Sequence, residues 1–189
     1  MHGIVSLLDA EHEARVLALW EELGREFGLG ARRKTPFPHL SYQGALGYAD
    51  EDLEARLRVI AVEQPAFKVT ADGLGVFTGA APVLYIPVLR TAELAALQRR
   101  VWEVGIPMAN GADEYFRPES WTPHITLAMH DLDAERLGQA IRHLGTRELR
   151  WEIQMDNLAY IDEDVAESSL RWRIRLRERD PDLPLARHS

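Results

Sequence analysis

Thr35-Pro36-Phe37-Pro38-His39-Leu40-Ser41 and Ser120-Trp121-Thr122-Pro123-His124-Ile125-Thr126 carry one pattern twice: proline, histidine, an apolar residue, a hydroxyl. Along a strand the side chains at i and i+2 share a face, so His39 stands beside Ser41 and His124 beside Thr126. Leu40 and Ile125 then point the other way, into the core. With proline at roughly 5% of residues on average, seven histidines should yield about a third of a Pro-His pair. This chain has two, and both continue identically. A repeat of this kind, each copy set ahead of a helix, predicts two lobes related by rough two-fold symmetry.

The flanking sequence alternates between strand and helix patterns. Gly3 to Leu8 is a short apolar run that reads as a buried strand. Asp9 is placed to cap a helix carrying Val16, Leu17, Trp20, Leu23 and Phe27, with Gly28 and Gly30 ending it. A second helix runs from about Asp50 through Leu53, Leu57 and Ile60 until Pro65 stops it. Phe67, Val69 and Ala71 alternate with polar residues as one strand, Val83 to Leu89 supplies another, and the two are expected to pair antiparallel. Thr91 caps a third helix, closed by Gly105 and Pro107, and residues 107 to 122 read as a long irregular loop. Asp133 caps a fourth helix with Leu137, Ala140, Ile141 and Leu144 facing inward, terminated by Gly145. Two long strands follow, around Leu149 to Asp156 and Leu170 to Leu176, joined through Ile161 to Ser169. Arg171, Arg173, Arg175 and Arg177 in the second face Glu152, Gln154 and Asp156 in the first, which predicts a cross-strand ion ladder.

Four helices and about seven strands indicate an α+β fold: bilobal, pseudo-two-fold, with antiparallel-rich sheets lining a central cleft and helices on the outer faces. Residues 1 to 178 form a single two-lobed domain on this reading. Residues 179 to 189, Pro-rich and polar, form a disordered tail.

Composition narrows the function. Thirty acidic against 22 basic side chains give a net charge of −8, which argues against an extended nucleic-acid surface built from many cationic phosphate contacts. No run approaches the ~20 apolar residues of a membrane span. The absence of cysteine excludes disulfides and thiolate metal sites. A cytoplasmic monomer is expected.

Histidine is the side chain whose ordinary pKa lies near neutrality, so a pair can divide acid and base work while neighbouring hydroxyls hold a phosphate. His39 and His124 are therefore the candidate catalytic residues, and Ser41 and Thr126 the candidate phosphate-binding residues. Proton carriers of this kind need no Lewis acid, and His130, Asp131 and Asp133 offer too few converging ligands for zinc, so neither metal nor cofactor is expected. The rate should peak near neutral pH, with bound phosphate raising the pair's apparent pKa values. Arg32, Arg33 and Lys34 could meet a phosphate but read better as a solvated cluster. Tyr115, Phe116, Arg117 and Trp121 could stack on a base or simply pack their loop down. His2, His12, His143 and His188 carry no assignment.

With these motifs the chain resembles the two-histidine phosphoesterase superfamily, and within it the bacterial RNA 2′,5′-ligase or 2′,3′-cyclic phosphodiesterase-like proteins. The resemblance extends over roughly residues 1 to 177. The two His-x-Ser/Thr motifs of that family fall on His39/Ser41 and His124/Thr126, separated by 124 − 39 = 85 residues. Gly75-Val76-Phe77 followed by Val83-Leu84-Tyr85 looks like the hairpin between the family's motifs. Ser41 replaces the commoner threonine, and Met129 stands where some phosphodiesterase members place an arginine. The resemblance implies phosphodiesterase chemistry on RNA ends or small cyclic-phosphate nucleotides, in the hydrolytic or the ligating direction. It leans towards His39 as the acid on the 2′ side, although the residues themselves leave the two roles interchangeable. A non-catalytic RNA-end or nucleotide-binding module is the alternative.

Overall fold

The computed structural model describes residues 2–30, 35–49, 52–162 and 169–178. In chain order the elements are β1 (His2–Leu7), α1 (Ala10–Phe27), β2 (His39–Tyr48), α2 (Leu53–Glu63), β3 (Phe67–Ala71), β4 (Gly75–Phe77), β5 (Val83–Pro87), α3 (Ala92–Gly105), β6 (Ala109–Ala112), β7 (His124–Ala128), α4 (Ala134–Leu144), β8 (Trp151–Met155), β9 (Asn157–Asp162) and β10 (Ser169–Arg175). Three helices begin where short polar side chains satisfy their first amides: Asp9 accepts from the His12 amide, Thr91 from Leu94 and Asp133 from Arg136. Gly28 ends α1 in the left-handed region at φ 67°, which costs glycine little.

Two antiparallel walls result. The first is a five-stranded sheet in the order β10-β9-β1-β2-β6. The second is built from β8-β3 and β4-β5-β7. These two pieces are stitched by the bridge Ala71↔Val88 and by bonds from the Asp72 amide to Pro87 O (3.0 Å) and the Leu89 amide to Thr70 O (2.8 Å). Helices α2 and α3 lie on the first wall, and α1 and α4 belong to the second. This is the α+β, two-lobed, antiparallel arrangement expected from the doubled motif.

The chain does not divide between the lobes in sequence order. β1 and β2 belong to the first wall, β3 to β5 to the second, β6 to the first, β7 and β8 to the second, and β9 and β10 to the first again. One apolar cluster extends through both, from Ile4, Leu40 and Val101 to Leu127, Ile153 and Trp20. Among the described residues no helix is long and apolar enough to cross a membrane.

Several expectations need correction. The expected antiparallel pairing of Phe67–Ala71 with Val83 to Leu89 is confined to one end, at the Ala71↔Val88 bridge: along its length β3 pairs with β8, and β5 takes β4 and β7 as neighbours. Alternation identified each strand but carries no information on its partner. The segment 107 to 122 is not wholly irregular: it contains β6, which extends the first sheet beyond β2, and short 3₁₀ turns at Ile106–Met108 and Glu114–Phe116. β9 intervenes between β8 and β10, so the two long strands lie in different sheets and the predicted ladder does not form. Instead Glu152 pairs with Lys68, Arg171 pairs with Asp162 on β9, and Arg173 meets Asp156, just past β8. Ile141 on α4 is 38% exposed rather than inward. The helix start at Asp50, the Arg32-Arg33-Lys34 cluster, the connection at 163 to 168 and the tail from 179 onward lie outside the described residues.

Candidate active site

Both motif histidines open a strand, and both are fixed by one local device. His39 Nδ1 donates to the Phe37 carbonyl at 2.6 Å, and His124 Nδ1 donates to the Thr122 carbonyl at 2.8 Å. An imidazole whose Nδ1–H is committed to a carbonyl two residues earlier is held in one tautomer, leaving Nε2 for a reacting group. The proline between histidine and acceptor limits the backbone freedom of that turn and has no amide to compete for the carbonyl.

Symmetry continues past the histidines. In β2 the register opposite β1 passes from Ser41 to Gln43, so Tyr42 is an extra residue; in β7 the register opposite β5 passes from Thr126 to Ala128, so Leu127 is extra. Each motif strand thus bulges immediately after its hydroxyl, a device that bends a strand beside a site and re-aims its side chains. Each hydroxyl residue is also braced from behind. Trp121 Nε1 donates to the Ser41 carbonyl at 3.0 Å, and Trp20 Nε1 donates to the Thr126 carbonyl at 3.0 Å. Leu40 and Ile125 are buried in the core as expected.

The surroundings of the two histidines differ. His39 and Ser41 line a small recess of about 30 Å³ together with His2, Gly3, Gln43, Gly44, Phe116 and Ile161. His124 stands among aromatic rings instead: its centroid is 4.9 Å from Phe77, 5.2 Å from Tyr85 and 6.4 Å from Tyr115. Phe77 stacks on Tyr85 at 4.1 Å, and Tyr85 lies directly opposite Thr126 across the β5–β7 pair. Glycine is required at position 75, because a Cβ there would fall 2.3 Å from the Tyr85 ring.

Burial holds both imidazoles in the neutral form. It pushes His39 down to about 4, against the opposing effect of the Phe37 carbonyl, and the proximity of His124 lowers it further. That last effect places the two rings within electrostatic reach of each other. His124 is also held below the ordinary histidine value by burial, opposed by the Thr122 carbonyl. The expectation of values raised above 6.5 therefore does not describe the free protein, in which desolvation dominates.

The other sequence candidates separate cleanly. Trp121 is 1% exposed and serves as the Ser41 brace, not as a stacking surface. Arg117 pairs with Glu114. Phe116 lines the His39 recess and Tyr115 stands at the His124 side. His130 is exposed, the Asp131 carboxylate accepts from the Gly30 amide, and Asp133 is the α4 cap, so these three do not converge. Among the described residues no three His, Asp or Glu side chains are grouped to hold a metal ion. Sequence reading missed His2, which borders the recess and meets the Tyr160 hydroxyl at 2.7 Å, and Trp20, because both act through contacts remote in sequence.

Solved structures that resemble this fold include the following two. "Crystal structure of phosphoesterase" shares 16% identity, with 94% of this chain and 98% of that chain covered at a TM-score of 0.59. "Crystal structure of E. coli LigT complexed with 3′-AMP" also shares 16% identity, with 93% and 96% covered and a TM-score of 0.59. At that identity the likeness is one of fold. No curated protein matches the chain. The family model of the 2′-5′ RNA ligase superfamily matches residues 8–167, which takes in both histidine motifs, both braces and the aromatic hairpin. By that match, over a fold and a doubled motif that agree with it, the chain belongs to the 2′-5′ RNA ligase superfamily.

Proposed function

We propose that this protein is a metal-independent phosphodiesterase acting on RNA-type phosphodiesters, opening 2′,3′-cyclic phosphate ends by acid and base catalysis at His39 and His124. The observation that carries the reading is the matched pair of imidazoles, each locked through Nδ1 at the start of a strand with a hydroxyl two residues on. A phosphate-binding module would be better served by cations, whereas two tautomer-locked histidines suit proton transfer.

In the hydrolytic direction His39 is the base, since burial pushes it down to about 4 and keeps it neutral and ready to accept. It takes a proton from water as the oxygen attacks phosphorus. The P–O3′ bond breaks, the departing oxygen takes a proton from His124, and a 2′-phosphate remains. Charge on the bound phosphodiester favours the protonated His124 that this step needs. Ser41 and Thr126 hold the non-bridging oxygens. The reverse course, with a 5′-hydroxyl in place of water, joins ends. A cytoplasmic location accords with the absence of cysteine.

The test is to incubate the protein with 2′,3′-cyclic nucleotides and cyclic-ended oligonucleotides in excess EDTA and to follow the phosphorus spectrum. A 2′-phosphate should accumulate. Turnover that stops in EDTA and returns with a divalent ion would point to metal-assisted hydrolysis.

A further inference from the structure

A strand bulge leaves backbone groups without their ladder partners, and the bulge of the first motif gives two successive carbonyls to side chains from outside the sheet. Ser41 O accepts from Trp121 Nε1, and Tyr42 O, on the extra residue itself, accepts from Gln98 Nε2 at 3.1 Å. Gln98 stands on α3 and is fully buried. The same amide nitrogen donates to Phe116 O at 2.8 Å, one hydrogen to each carbonyl. Phe116 belongs to the segment that leads to His124. That segment is tied to β2 where the Asp113 amide donates to Gly44 O (2.9 Å), and to the second wall where the Val88 amide donates to Pro123 O (3.0 Å). One buried side chain therefore joins the strand of His39 and Ser41 to the approach to His124.

This is not how the layer between α3 and β2 is otherwise packed. Leu94, Leu97 and Val101 of the same helix are wholly buried and apolar. Only the NH₂ end of an amide can serve two carbonyls, so Gln98 Oε1 is turned away from them and finds no hydrogen-bond partner. Gln43, which follows the bulge, is buried with neither polar atom paired, and its Oε1 lies 1.8 Å from where a Cβ on Gly105 of α3 would stand. A buried oxygen without a partner costs stability at that atom. What the Gln98 amide supplies is a fixed place for two backbone carbonyls, and departures of this kind from apolar packing gather at functional sites.

We propose that Gln98 is a positioning residue for the first motif: by holding Tyr42 O and Phe116 O together it sets the bulge that aims Ser41 at the phosphate beside His39. It acts through Ser41 and the strand and touches no substrate. The proposal rests on the phosphodiesterase reading and adds to it a residue outside both motifs.

The test is Gln98→Met, which keeps the length of the side chain and removes both donors. On adenosine 2′,3′-cyclic phosphate kcat should fall roughly tenfold with KM within about threefold, because binding survives and aim is lost. Leu57→Ala, a core truncation on α2, destabilises without altering the bulge and should leave kcat within about twofold. Paired with Trp121→Phe, which frees the adjoining carbonyl of the same bulge, the loss should not multiply; paired with Trp20→Phe, which acts on the other motif, the losses should multiply to roughly a hundredfold. An unchanged kcat in Gln98→Met, an equal loss in Leu57→Ala, or multiplication with both tryptophan variants would overturn the proposal. Should Gln98→Met not fold, Gln98→Glu, which as the buried neutral acid keeps one donor, takes its place with a smaller loss expected and the same outcomes deciding. A parent protein without turnover defeats the phosphodiesterase reading, and the positioning is then read in the free protein by nuclear magnetic resonance. The Ser41 amide resonance should shift in Gln98→Met and stay in Leu57→Ala, with that of Thr126 in place in both. A Ser41 resonance indifferent to Gln98→Met overturns the positioning role however active the enzyme is.

Discussion

His39 and His124 are positioned alike and surrounded differently. Each donates Nδ1–H to the carbonyl two residues back, each precedes a hydroxyl and a bulge, and each hydroxyl residue is held from behind by an indole. Yet one faces a glycine-edged recess and the other a set of rings. Backbone geometry is therefore the symmetric layer, as the proposed reaction requires of two proton carriers that reach one phosphorus from opposite sides. Side-chain surroundings are the asymmetric layer, which suits a substrate whose two groups on phosphorus are chemically unlike.

The severest challenge to the symmetric layer is removal of either imidazole. His39→Ala and His124→Ala should each lower turnover of cyclic phosphate roughly 10²- to 10⁴-fold, and the double variant should be scarcely worse than the worse single one. Parent-rate turnover by both single variants would end the catalytic assignment in favour of a binding module. In the parent, kcat/KM should rise as pH passes about 4, where His39 loses its proton. It should fall again below pH 6.5, because the free protein holds His124 below that ordinary value and the acid must be protonated. A kcat/KM optimum on the alkaline side of 6.5 would contradict the burial of the pair.

Stability offers a second probe of the same burial. A histidine whose folded value is about 4 against 6.5 unfolded binds fewer protons when folded, so its contribution is fully present above pH 6.5 and is lost as pH falls towards 4. That difference amounts to up to about 3 kcal/mol, readable as a steeper acid loss of Tm that His39→Gln should flatten. Next come the braces. Trp121→Phe and Trp20→Phe should each strand the carbonyl of a proposed phosphate-binding residue, at about 1–3 kcal/mol in denaturant unfolding and roughly tenfold in kcat/KM. Unequal activity losses from equal destabilisations would show that one lobe tolerates misplacement better. Smallest of all, Ser41→Ala and Thr126→Ala should cost activity less than either histidine change, with folding nearly unaltered.

The sequence made legible what is local. Caps at Asp9, Thr91 and Asp133, the left-handed stop at Gly28 and the facing of Leu40 and Ile125 follow from neighbours within a few residues. The catalytic candidates were visible for the same reason, since His-x-hydroxyl is a two-residue spacing. Pairing was not visible. β3 alternates as cleanly as any strand, and nothing in Phe67–Ala71 states that its partner lies more than eighty residues on at Trp151–Met155 rather than at Val83–Pro87. For Trp121 the sequence leaves two roles open, stacking on a base or packing its loop down, by the same limit. An aromatic in a loop next to a histidine looks like a ligand surface until the tertiary fold supplies the Ser41 carbonyl it serves.

The placement of β1 between β2 and β9 has a consequence for how the molecule comes into being. As the chain leaves the ribosome, β1 can pair with β2 early, but its other edge has no partner until synthesis passes Asp162. Contacts so distant in sequence make for slow, late closure, and an unpaired strand edge invites wrong partners in the interval. A nascent polypeptide halted just before Asn157 would already contain both histidines, both hydroxyls and both indoles, and would still lack β9 and β10, the two strands that cover the open edge of β1.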